Sequence, residues 1–214
     1  MNIKNARGDT ESLTAPQVLT KSFSNSVIDI YLDGEISDPD RYREAYHALS
    51  NASQQDIIFL HINTVGGRLD AGIQIINHIR RCDAKVVGVL HMECASMGSA
   101  IFLACDDWEL NTFSTMMIHS CSYGAVGKQS DILSRVEFST KFNEKYIRET
   151  YAGFLSEEEI KQVLRGDDLY FDAEQINKRL TPFAEERERR EIEAEEQAMK
   201  EALKAKAAAK KKAK

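Results

Sequence analysis

The 214-residue sequence has no long apolar run, only three prolines and no paired cysteine motif. A membrane-spanning helix needs about 18 or more consecutive apolar residues, and no stretch approaches that length. The opening MNIKNARGDTES lacks the apolar core of a secretory signal. The cysteines show neither CxxC spacing nor pairing with histidine: Cys82, Cys94, Cys105 and Cys121. We therefore expect a cytoplasmic protein with reduced thiols, without a membrane span or a disulfide framework.

The formal net charge of −6 is unevenly distributed. Residues 184–214 carry ten Lys or Arg and eight Glu, which leaves 18 basic and 26 acidic residues in 1–183. The formal net charge is therefore −8 for residues 1–183, the body, and +2 for residues 184–214, the tail. An acidic body disfavours contact with nucleic-acid phosphates, and the basic end AKAAAKKKAK is suited to weak, salt-sensitive contacts with anions. Apolar residues at 43% and charged residues at 29% are ordinary for a globular domain.

Strand and helix patterns alternate along the chain. Buried or β-branched runs predict strands at 26–36, 56–64 and 84–93, with further strand across 108–120. Helices are predicted after these strands, over 41–52, 69–82 and 97–105, followed by a long helix over 131–154. This order predicts an α/β fold with mostly parallel strands and short crossovers.

Composition divides the chain into three predicted parts. Residues 1–24 are expected to be a flexible segment, residues 25–182 one folded domain, and residues 183–214 a charged tail that is helical or disordered. The tail has strong helix formers and many Glu and Lys or Arg pairs four residues apart, but almost no apolar stripe.

Ser96 is the strongest candidate for chemistry, because it lies between a buried strand and the start of a helix, where free backbone N–H groups converge. The simpler interpretation is a helix cap. Gly67, at a similar junction, and Met97 could supply two N–H donors for an oxyanion. His119 and Asp168 each have a structural explanation when taken alone. Together with Ser96 they form a coherent nucleophilic set.

Four collinear segments resemble the proteolytic subunit of the Clp protease family, and the resemblance covers roughly residues 27–180. They are FLHINTVGGRLDAGIQI, CASMGSAIFLA, MMIHSCSYGAVGKQSDI and DDLYFDAE. The resemblance implies the ClpP and crotonase type of spiral, built from βαβ units with a projecting long helix.

The same resemblance implies a serine endopeptidase that needs no cofactor or metal. It assigns Ser96 as nucleophile, His119 as general base and Asp168 as the residue that orients the imidazole, with the amides of Gly67 and Met97 as oxyanion donors. Asp168 is preferred to Asp167 because it stands five residues before Ala173 and 49 after His119. The loop Gly124, Ala125, Val126 and Gly127 is expected to bind the substrate as an added strand.

Polypeptide substrates, a homo-oligomeric ring and an ATP-dependent unfoldase are the partners that this family implies. The ring would be a heptamer or a double ring. The family has an acidic residue and an arginine before its catalytic aspartate that help join two rings, and here Gly166 and Asp167 stand there. Thr64-Val65 replaces the family's usual Ser-Pro before the glycine pair. This divergence resembles bacteriophage-encoded members, for which capsid or scaffold processing in the host cytoplasm or prohead is expected.

Two other functions stay open at this point. A crotonase-type acyl-CoA enzyme would share the fold and the glycine-backed oxyanion hole without needing a Ser-His-Asp set. A catalytically idle ring or scaffold protein would use the charged tail to bind a partner. GAVGKQS lacks the spacing of a phosphate-binding loop, and the histidines His47, His61, His78 and His91 show no paired metal spacing.

Overall fold

The computed structural model describes residues 18–22 and 25–212, and these divide into two compact units, with the division between Ile118 and His119. In the part described, no helix combines the length and the apolar character that crossing a membrane requires. Residues 18–22 of the predicted flexible segment form a strand, and the rest of that segment lies outside the described residues. The three predicted segments stay a prediction.

The first unit is built on a mostly parallel sheet. Its strands are β1 (Val18–Ser22), β2 (Ser26–Ile36), β3 (Ile57–Gly67), β4 (Lys85–Ala95), β5 (Asp107–Leu110) and β6 (Thr115–Ile118). Strands β2, β3 and β4 pair in parallel, β1 pairs antiparallel with β2, and both β5 and β6 pair in parallel with β4. The predicted α/β class with mostly parallel strands is confirmed.

Three helices connect these strands: α1 (Arg43–Asn51), entered through a 3-10 turn at Pro39–Tyr42, α2 (Leu69–Ile79) and α3 (Met97–Ala104). Apolar residues from alternate strand positions form the core, where burial of each large side chain stabilises the fold by about 1.5–3 kcal/mol. They include Ile30, Leu32, Ile58, Leu60, Ile62, Val86 and Leu90.

The predicted strand region 108–120 is divided into β5 and β6 by a turn. Asn111 and Ser114 close that turn, because the amide of Ser114 donates to the Asn111 carbonyl at 3.0 Å. Their side chains also donate to the carbonyl of Leu90, at 2.9 Å and 2.8 Å. Both β5 and β6 therefore pair with β4. Strand β5 pairs with the first half of β4, and β6 pairs with the last three residues of β4.

The second unit contains α4 (Gln129–Tyr151), α5 (Glu157–Arg165), β7 (Leu169–Asp172) and α6 (Ala173–Lys212). Helix α5 was not predicted from the sequence, although Ser156 and Glu159 form a complete capping box at its start. Helix α6 continues through the predicted boundary at 182. Phe183 is buried and meets the ring of Phe154 edge-on, so it belongs to the core of this unit.

Arg179 of α6 connects several parts of the second unit. Its guanidinium donates two hydrogen bonds to the Glu159 carboxylate, at 2.9 Å and 2.7 Å, and one to the carbonyl of Phe154 at 2.9 Å. It also lies over the ring of Phe171 in β7, 4.6 Å from the centroid. This ion pair lowers the pKa of Glu159 to about 2. Strand β7, which follows Asp168 directly, is therefore held against α5 and α6.

Candidate active site

Ser96 stands at a sharp turn between β4 and α3, in a backbone conformation that serine rarely adopts. Its φ is +54°, and among the described residues no other non-glycine residue has a positive φ. Such a conformation costs about 1–3 kcal/mol and persists only where the surroundings enforce it. A nucleophile on a strained turn between strand and helix is a recurring arrangement in hydrolases. The conformation is therefore a signal of function that the sequence alone did not contain.

Hydrogen bonds on both sides hold this turn. The amide of Ser96 donates to the Met117 carbonyl in β6 at 2.8 Å. The carbonyl of Ser96 accepts from the amide and from the hydroxyl of Ser99, at 3.1 Å and 2.7 Å. Ser99 itself is fully buried, so the turn is anchored to the core by this residue. Sequence reasoning did not identify Ser99, because a serine inside a small-residue helix has no distinguishing pattern.

The simpler interpretation of Ser96 as a helix cap does not fit the geometry. Ser96 occupies the N-cap position of α3, but its side chain accepts no capping hydrogen bond from that helix. The residue is half-buried. Its hydroxyl is therefore not committed to the structural role that serines at helix starts most often have.

The glycine pair at the end of β3 lies between Ser96 and β2, with Gly66 against Ser96 and Gly67 against Ile36. A Cβ on Gly66, which has φ +88°, would lie 2.6 Å from the Cβ of Ser96 and 3.0 Å from the amide nitrogen of Met97. A Cβ on Gly67 would lie 2.2 Å from the carbonyl oxygen of Ile36. Both positions therefore require glycine, and the structure brings the predicted Gly67 turn next to Ser96 and Met97.

Thr64 determines which amides of this turn remain for a ligand. Its buried hydroxyl donates to the carbonyl of Gly34 and accepts the amide of Gly66 at 3.0 Å. The amide of Arg68 donates to Ile36 at 2.8 Å. The amides on either side of Gly67 are thus occupied within unit one, which favours Gly67 over Gly66 as the donor. Sequence reasoning treated Thr64 only as a departure from the family pattern.

In the second unit, His119 and Asp168 lie together. The Nδ1 atom of His119 is 3.7 Å from Oδ1 of Asp168, within ion-pair reach but longer than a hydrogen bond. Hydrogen bonds of catalytic groups are often loose before substrate binds. Asp167 instead donates its amide to the carbonyl of Gln162 at the end of α5. The contact with Asp168 is therefore made through Nδ1 of the imidazole.

The predicted substrate loop has no regular secondary structure. Residues 121–128 precede α4 without forming a strand, and Val126 is 97% exposed. Cβ atoms built on Gly124 and Gly127 would meet no atom within 4 Å. Backbone groups in this loop are therefore accessible to a ligand from outside the unit.

Within the described residues, no three His, Cys, Asp or Glu side chains are grouped so that they could hold a metal ion. The four cysteines are thiols, and Cys94 and Cys105 are buried. Burial raises the pKa of the Cys94 thiol well above its ordinary value, so this thiol is not suited to act as a nucleophile.

Comparison with known proteins gives a consistent family. The model of the family described as Clp protease matches residues 16–178. The ATP-dependent Clp protease proteolytic subunit 1 of Borreliella burgdorferi is 32% identical over 107 residues, which cover 48% of this chain and 55% of that protein. The ATP-dependent Clp protease proteolytic subunit of Borreliella afzelii is 32% identical over 107 residues, covering 48% and 54%. The alignment thus spans about half the length of these curated relatives.

Proposed function

The chain belongs to the Clp protease family, and from this premise we propose that it is a serine endopeptidase with Ser96 as its nucleophile. The observation that carries the proposal is the strained backbone of Ser96, which hydrogen bonds to Met117 and Ser99 hold and which lies beside Gly66. Backbone strain of this kind clusters at active sites, where it is part of the mechanism.

In the proposed reaction His119 is the general base. Its Nε2 accepts the Ser96 proton as the hydroxyl oxygen attacks the scissile carbonyl, and the proton then passes to the leaving amine. Asp168 holds the imidazole through Nδ1, which the 3.7 Å contact supports. Ser96 is bonded close to His119 in the sequence. The carbonyl of Met117 accepts the amide of Ser96, and Met117 precedes His119 by two residues. Water then hydrolyses the acyl-enzyme.

The amides of Gly67 and Met97 are the proposed oxyanion donors. The amide nitrogen of Met97 lies at the start of α3, where the helix dipole adds a partial positive charge. Preorganised donors of this kind typically contribute about 10²–10³ in rate each. No metal or organic cofactor is required for this chemistry.

Polypeptide is the proposed substrate, bound in extended form. The backbone of Gly124, Ala125, Val126 and Gly127 is open to pairing with an added strand, which recognises a main chain without reading its sequence closely. Such binding suits an unfolded polypeptide delivered by an ATP-dependent unfoldase. Processing of a phage capsid or scaffold protein, in the host cytoplasm or in the prohead, is the biological setting we propose.

Assembly into a ring of identical subunits is also proposed. Helix α4 exposes a set of large apolar side chains that a monomer would leave in water: Leu133, Val136, Phe138 and Phe142. Phe138, Phe142 and Tyr146 form a ladder of rings at centroid distances of 6.3 Å and 6.4 Å. Exposed apolar side chains of this kind favour contact with another subunit. A heptamer or a pair of stacked rings would limit access to the active sites.

Labelling with a fluorophosphonate probe tests the proposed chemistry. We expect a single adduct on Ser96, loss of labelling and of peptidase activity in Ser96→Ala, and retained labelling in the control Ser99→Ala at a reduced rate. Activity should fall by many orders of magnitude in Ser96→Ala without unfolding. An unlabelled parent chain would favour the crotonase-type enzyme or the idle scaffold, and turnover of an acyl-CoA thioester would separate those two.

A further inference from the structure

Asn143 of α4 forms hydrogen bonds with the two residues that directly follow His119. Its side-chain Nδ2 donates to the hydroxyl of Ser120 at 2.8 Å, and its Oδ1 accepts the amide of Cys121 at 3.2 Å. Because the backbone N–H of Cys121 can only donate, the orientation of the Asn143 amide is determined. One side chain therefore contacts both residues that come after the proposed general base.

The segment after His119 has no helix or strand hydrogen bonds of its own to fix its backbone. Residues 119–128 lie between β6 and α4 without helix or strand. Helix α4 thus supplies hydrogen bonds to this segment through Asn143.

The geometry points to Asn143 as a positioning residue for His119, an inference that rests on the proposed function. It contacts no reacting atom and acts through the backbone of residues 120 and 121. The distance from His119 to Asp168 is 3.7 Å, so a small rotation of the backbone after His119 decides whether a hydrogen bond forms. Fixing Ser120 and Cys121 limits that rotation and keeps Nδ1 facing the carboxylate.

The decisive experiment measures fluorophosphonate labelling of Ser96 across pH 5–9 in the full-length chain. The variant is Asn143→Leu, which removes both hydrogen bonds at similar volume, and the matched control is Thr140→Val, whose hydroxyl bonds only to the Val136 carbonyl of the same helix. We expect Asn143→Leu to lower the labelling rate by about 10–100-fold, because a misplacement of about 1 Å caused far from the reacting atoms can cost up to that factor, and to displace the midpoint of the pH dependence of labelling.

Asn143→Asp, which keeps the acceptor for Cys121, should recover part of the rate. Ser120→Ala removes one of the two contacts and should give a smaller loss, and it serves if Asn143→Leu fails to fold by circular dichroism. A parent-like rate and pH midpoint in folded Asn143→Leu, or in Ser120→Ala where that variant replaces it, would overturn this inference and leave the proposed function intact. A parent chain that does not label at Ser96 would overturn both.

Discussion

Replacing Thr64 by valine tests how the active-site turn is held. The side chain is 1% exposed, and its hydroxyl bonds the Gly34 carbonyl and the Gly66 amide. Valine has nearly the same shape but leaves the Gly66 amide buried without a partner, whereas Gly34 is exposed and its carbonyl can bond to water. An unpaired buried group costs about 1–3 kcal/mol, so Thr64→Val should lower the free energy of unfolding by about 1–3 kcal/mol.

Thr64→Ser provides the matched comparison, because it keeps the hydroxyl and loses only the methyl group. That methyl occupies the space beside Gly98, where a Cβ would lie 2.5 Å from it. Loss of one buried methyl costs about 1 kcal/mol. Thr64→Ser should therefore destabilise the fold less than Thr64→Val, although side-chain volume alone would predict the opposite order.

The two variants should also differ in activity. Without its partner on Thr64 the Gly66 amide can reorient, which should displace the neighbouring Gly67 amide, a proposed oxyanion donor. We expect Thr64→Val to lower kcat for a fluorogenic peptide by about 10–100-fold, less than the full contribution of one oxyanion donor, and Thr64→Ser to stay within about threefold.

Urea unfolding followed by circular dichroism, together with peptide turnover, measures these effects. Thr115→Val is the control, because its hydroxyl makes an exposed bond to the Met92 carbonyl at 3.1 Å, and its effect should stay within about 0.5 kcal/mol. A Thr64→Val variant as stable and active as the parent, or more stable than Thr64→Ser, would refute the reasoning.

Four further outcomes are expected. Asp168→Asn should cripple turnover by favouring the wrong histidine tautomer while Asp167→Asn is mild, and steady-state kinetics showing the reverse order would transfer the role to Asp167. Because the folded-state pKa of Glu159 is about 2, below its ordinary 4.5, its ion pair should stabilise the fold fully above about pH 4.5 and lose this effect as the pH falls through 2. Urea unfolding at pH 6 and pH 2.5 should therefore show the gap between parent and Glu159→Gln closing, and an unchanged gap would contradict the assignment. Light scattering should give a mass of several subunits for the parent and a lower mass for Phe142→Glu, whereas a monomeric parent at micromolar concentration would remove the ring. Truncation after residue 191 should preserve peptide cleavage and subunit mass, and loss of either would make the charged end of α6 part of the enzyme.

Regular elements were the most predictable part of the molecule. The strand over 26–36 agrees with its pattern at both ends, because alternate positions face the core. The strand predicted over 56–64 continues to Gly67, since the glycine pair still pairs with β2. The turn between β5 and β6 depends on side chains that bond to β4, a partner distant in sequence, so no local pattern indicated it.

The candidate site was only partly predictable for the same reason. Residue types and spacing identified Ser96 and the glycine turn, which the structure brings together. The strain at Ser96 and the buried contacts of Thr64 and Ser99 are tertiary properties without a sequence pattern. The roles of His119 and Asp168 stay predictions, although their side chains lie 3.7 Å apart.

The positive φ of Ser96 sets thermal stability against the proposed catalytic role at one position. Alanine at 96 would remove the nucleophile but keep a Cβ and therefore the strained backbone, whereas glycine adopts positive φ at little cost. An inactive chain with glycine there should outlast the natural one on heating, since the strain of about 1–3 kcal/mol would be relieved. Thermal stability alone would therefore favour glycine at position 96, and under the proposed function the strain is what placing a serine hydroxyl at this turn costs.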